Sequence, residues 1–156
     1  MRRPTRTAPA AVRWLVLAVA AAMAAAGCAG PSRTEEDYRH KAANTAEAAA
    51  SAVSTAGLAV KAAGEKKATG PYLSAILGEA EKDLAGADEA FMSRQPPGPA
   101  SDRVRRQVGE VLSDAADELA AVRIDARRGR IEELGAHASG LAAVLDRLNA
   151  LEENLS

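Results

Sequence analysis

From residue 34 onward the apolar residues recur every three or four positions, and no run alternates in the two-residue rhythm of a half-buried strand. In the segment 34–67 the recurrence is strict: Ala42, Ala46, Ala49, Val53, Ala56, Val60 and Ala63 are spaced 4, 3, 4, 3, 4 and 3 apart. An α-helix turns by about 100° per residue, so this set forms a single stripe. Ser32 or Thr34 can cap the helix, because Ser32-Arg33-Thr34-Glu35 has capping-box spacing. The stripe is mostly alanine, so partner helices can approach closely while each contact buries little area.

Proline and glycine mark the breaks, at Ala68-Thr69-Gly70-Pro71 and at Gln95-Pro96-Pro97-Gly98-Pro99-Ala100-Ser101. Between them, residues 71–94 carry a second stripe, Leu73, Leu77, Ala80, Leu84, Ala87 and Phe91, flanked by Ile76. A third, over 101–128, runs Val104, Val108, Val111, Leu112, Ala115, Leu119, Val122 and Ala126, with Ser101 as the expected N-cap. The fourth, over 130–154, runs Ile131, Leu134, Ala138, Leu141, Leu145, Leu148 and Leu151. The third and fourth are out of phase by two residues at Gly129, which predicts a reversal there. The expected fold is an all-α, antiparallel up-down four-helix bundle, the alternative being an elongated helical hairpin or coiled coil. Gly57, Gly78, Gly86, Gly109, Gly135 and Gly140 fall inside the helices, and close helix packing is the expected reason.

Residues 1–27 have a different character. Arg2, Arg3, Arg6 and Arg13 precede an apolar run from Trp14 to Ala26, about 13 residues where a spanning helix needs roughly 20. The run ends in Ala25-Ala26-Gly27-Cys28, and Cys28 is the only cysteine. The segment resembles a bacterial lipoprotein signal. That resemblance implies cleavage before Cys28, lipid on its thiol, and a place on the extracytoplasmic side of the cell membrane. Residues 28–33 would then be a lipidated terminus and spacer reaching at most ~20 Å, followed by the bundle over 34–156. In composition and leader the chain is also similar to small Ala/Arg-rich lipoproteins of high-GC actinobacteria, a likeness that carries over no functional residue.

Cleavage would leave 16 basic residues against 21 acidic ones. That balance argues against nucleic acid as partner, since phosphate backbones call for a basic face. Only Tyr38, Tyr72 and Phe91 remain as aromatics, too few for a stacking platform. Glu35-Glu36-Asp37, Asp88-Glu89 and Asp117-Glu118 sit among polar residues rather than in a pocket that would split their pKa values. There is no Gly-rich phosphate loop, HExxH, Cys/His cluster or Ser/His/Asp order. Enzyme activity, a catalytic residue, a metal and a cofactor are therefore not expected. His40 and His137 each follow a glutamate by four residues, Glu36 and Glu133, and read as solvated neighbours at opposite ends of the bundle.

The up-down topology predicts one charge cluster. It brings Lys61, Lys66 and Lys67 to the same end as Arg127, Arg128 and Arg130, a basic tip suited to an anionic partner. The expected function is a non-enzymatic, membrane-anchored envelope lipoprotein whose bundle mediates protein interaction, self-association or assembly. The alternative is a bundle that binds an apolar or anionic small molecule between its helices.

Overall fold

A computed structural model describes residues 34–156; the leader, Cys28 and the spacer lie outside the described residues. Four helices follow in order: α1 (Glu35–Gly64), α2 (Gly70–Met92), α3 (Pro99–Arg127) and α4 (Ala138–Leu155), with a 3-10 stretch, Ile131–His137, leading into α4. They pack as a four-helix bundle. α1 contacts all three other helices, whereas α2 and α4 take opposite corners.

The helix ends have local causes. The Thr34 hydroxyl accepts from the Asp37 amide at 3.1 Å, and Glu35, Glu36 and Asp37 occupy the first turn, where the helix dipole favours negative charge. α1 stops at Gly64, three residues before the predicted limit, because Lys66 takes a left-handed conformation (φ 56°). There the Lys66 amide donates to Ala63 and the Lys67 amide to Ala62, a Schellman closure. α3 ends in the same way. Gly129 (φ 74°) donates to Ala126 and Arg130 to Asp125, so the predicted reversal falls at the predicted residue. The two closures differ in cost, since a lysine side chain crowds its own backbone in this conformation and glycine does not. Lys66→Gly is expected to raise the unfolding free energy by about 1 kcal/mol, and Gly129→Ala to lower it by about as much, in urea titrations.

Ser101 is not the N-cap of α3. Pro99, whose ring already holds helical φ, starts the helix two residues earlier, with Gly98 as N-cap, and Ser101 is buried inside the first turn. α2 ends at Met92 rather than at 94, and Arg105 of α3 reaches across to its terminal carbonyls. Its guanidinium donates to Met92 O at 2.6 Å and to Arg94 O at 2.7 Å.

The first three predicted stripes enter the core, apart from the half-buried Ala87 and Val104. α1 buries a wider face than its seam implies, adding Tyr38, Ala43, Ala50, Ala52 and Ala59, because it touches three neighbours rather than two. The fourth stripe needs correction. Ala138 is exposed and Leu145 half-buried, while Val144 and Leu155 are buried. Leu134, Leu141, Leu148 and Leu151 are buried as the stripe predicts, so α4 keeps its inward face; the departures fall at its first residue, where the 3-10 segment of about 120° per residue gives way to the α-helix, and along one edge of the stripe.

At only two of the six glycines does anything lie near, and there it is the movable end of a side chain rather than a neighbouring backbone. A Cβ on Gly109 would come within 2.6 Å of Met92 Cε, and one on Gly140 within 2.6 Å of the Glu118 carboxylate; at Gly57, Gly78, Gly86 and Gly135 nothing lies within 4 Å.

Candidate interaction surface

The α1–α2 connection and the α3–α4 connection meet at one end of the bundle: a Cβ on Gly70 would lie 3.9 Å from Ile131 Cδ1. This end carries all six basic residues of the predicted tip, but not in equal states. Lys61, Lys66, Arg127 and Arg128 are exposed and make no ion pair among the described residues. Lys67 pairs with Glu65 at 2.7 Å. Arg130 turns back, bonding Asp125 and reaching Glu133 at 3.2 Å, so its charge is answered within the fold.

A second partner of Asp125 has no counterpart in the sequence reading. His137 Nε2 lies 3.0 Å from Asp125 Oδ2, twelve residues away, rather than beside Glu133. The i, i+4 spacing of Glu133 and His137 presupposes an α-helix, and the segment is 3-10. The hydrogen bond from His137, and after it that from Arg130, holds the Asp125 carboxyl below its ordinary value. A depressed carboxyl stabilises the fold above its unfolded pKa of about 3.9, and this contribution disappears as pH falls through the lower, folded value. In Asp125→Asn the thermal midpoint is expected to fall less than in wild type between pH 5 and pH 2, measured by circular dichroism. His40 is exposed near the start of α1, at the other end.

That other end holds two buried hydroxyl groups. Tyr38 packs its ring 5.2 Å from Phe91, and both its hydroxyl and that of Ser101 are buried without a hydrogen-bond partner among the described residues. Burial raises the Tyr38 phenol above its ordinary value, with Arg105 opposing. Removing an unpaired buried hydroxyl relieves a desolvation cost, so Tyr38→Phe is expected to leave the urea midpoint unchanged or raise it by up to about 1 kcal/mol in stability.

Charge is unevenly distributed over the rest of the surface. The segments 61–67 and 123–133, which form the tip, carry seven basic and four acidic residues; the other described residues carry eight basic and seventeen acidic. Below the tip, three helices share a belt free of Asp, Glu, Lys and Arg: 48–60 in α1, 68–78 at the start of α2, and 134–145 entering α4. α1 lies between α2 and α4, so the belt forms one face centred on α1. Of the large hydrophobics exposed among the described residues, Leu58 (66% exposed) and Tyr72 (58%) belong to this belt, while Ile124 (40%) lies on α3 in the charged tip segment. Leu58 borders a groove of about 220 Å³ between α1 and α4, lined by Val53, Gly57, Ala138, Leu141 and Leu145. A larger groove, about 410 Å³, lies between α2 and α3, with Asp88 and Glu81 beside Leu84, Met92 and Leu112. Both are open to solvent.

Among the described residues no three His, Cys, Asp or Glu side chains form a group that could hold a metal ion, and no helix is long and apolar enough to cross a membrane. No protein-family model matches this chain, and neither a curated protein nor a solved structure does.

Proposed function

We propose that the protein is a non-enzymatic interaction module, anchored by lipid on Cys28 to the outer face of the cytoplasmic membrane, whose helical bundle docks protein through its uncharged face. The leader supports the anchor. The observation that carries the docking role is the uncharged belt with Leu58 and Tyr72 exposed on it, since a bundle that buries thirty other apolar side chains leaves these two in water. Lys61, Lys66, Arg127 and Arg128 border that face and would steer an acidic or anionic partner toward it.

Both halves of the reading can be tested in the same cells. An alkyne-tagged fatty acid should label the wild-type chain and not Cys28→Ser; equal labelling of the two overturns the anchor. A photo-crosslinking residue at position 58 should give a discrete adduct on irradiation, whereas one at the exposed position 117 of α3 should not. Identical adduct patterns at the two positions, or none at either, overturn the docking role.

A further inference from the structure

We infer that the partner of the uncharged face is a second copy of this chain, with the two α1 helices antiparallel and crossing at Ser54; the inference rests on the docking role proposed above. The outward side of α1 has a seam of its own: Asn44, Glu47, Ser51, Ser54, Leu58 and Lys61, spaced 3, 4, 3, 4 and 3 apart, all exposed except the half-buried Ser54. Such spacing places them on one stripe, opposite the buried alanines.

The ends of the stripe specify its partner. The thirteen residues between Glu47 and Lys61 carry no charge, and Ser54 is their midpoint. A two-fold axis through Ser54 therefore sets Glu47 against the second copy's Lys61 and Lys61 against its Glu47, about 21 Å apart along the helix. The same axis sets Leu58, the most exposed large hydrophobic, within one residue of the second copy's Ser51, so a large side chain faces a small one at each of the two equivalent places. Ser54 meets its own counterpart, and small residues there let the axes approach to about 8 Å. A parallel pairing would oppose Glu47 to Glu47 and Lys61 to Lys61, which selects against it. The flanking stretches of α2 and α4, residues 68–78 and 134–145, bring no Asp, Glu, Lys or Arg into the contact.

The test uses the full-length chain in mild detergent with Cys28→Ser, so that an introduced thiol is the only one. Under mild oxidation Ser54→Cys should form a disulfide-linked dimer, and Asp117→Cys on α3 should not. Sedimentation should then show Glu47→Lys and Lys61→Glu each weakening dimerisation by about tenfold, and the double exchange restoring it. Equal crosslinking at positions 54 and 117, no crosslinking at 54, or a double exchange no better than the single ones overturns the pairing. If the position-58 photo-adduct joins a different protein while Ser54→Cys stays monomeric, this pairing falls and the docking role stands; if no position-58 adduct forms, the docking role itself falls.

Discussion

Ala49→Leu is expected to lower the unfolding free energy by about 3 kcal/mol, at the upper end of the range for overpacking a filled core. On propensity alone the change should be harmless, because leucine is nearly as good a helix former as alanine. The cost arises from position. Ala49 is fully buried on the helix that packs most extensively against the others, where methyl-sized side chains set the spacing between axes. Three added carbons must either take a strained rotamer or push α1 away from its neighbours, and separation on one side loosens contacts on all three. Ala143→Leu, the same chemical change at an exposed position of α4, should stay within about 0.5 kcal/mol. Urea unfolding followed by helical circular dichroism distinguishes the two; equal midpoints would refute the account of α1 as the spacing element.

Leu134→Ala is expected to cost about 3–4 kcal/mol, within the range for deleting a fully buried leucine. Leu134 is the only fully buried residue between Ala126 and Leu141, so it alone fastens the corner where α3 turns into α4. A gap there cannot be refilled locally, because Ile131 is already half-buried and Gly135 has no side chain to offer. Beyond the fall in midpoint, the amides of 131–137 should exchange with solvent faster than those of α1, and the acid sensitivity attributed to Asp125 should diminish as His137 loses its fixed place. Leu58→Ala, removing a side chain that is 66% exposed, should change monomer stability by no more than about 0.5 kcal/mol. The contrast between two leucines therefore reads directly as fold against surface.

The first three stripes, most of the fourth, the reversal at Gly129 and the end of the bundle at which the six basic residues gather were legible from spacing, because helix periodicity and chain punctuation involve residues close together in sequence. What escaped was the state of individual groups. Arg130 belonged to the predicted tip, yet Asp125 and Glu133 engage it. His137, expected as a solvated neighbour of Glu133, is half-buried and bonded to Asp125. Arg130 is folded back on Asp125 by the chain reversal at Gly129, whereas the His137 difference comes from Ile131–His137 adopting 3-10 geometry, which changes every i, i+4 relation within the segment. Nothing in Ile131–His137 signals this except its weak helix formers, Gly135 and His137.

By itself the sequence determined the class of the fold, the number of its helices and most of the side chains they bury. These follow from where apolar atoms fall on a helix and from where proline and glycine stop it, which are local matters. Only the tertiary structure decided that α1 packs most extensively against the other helices, that three uncharged stretches from distant parts of the chain form one face, and that Leu58 stands exposed on it. Those depend on which helix lies beside which, and adjacency in a bundle is set by packing between residues tens of positions apart rather than by the pattern within any one of them.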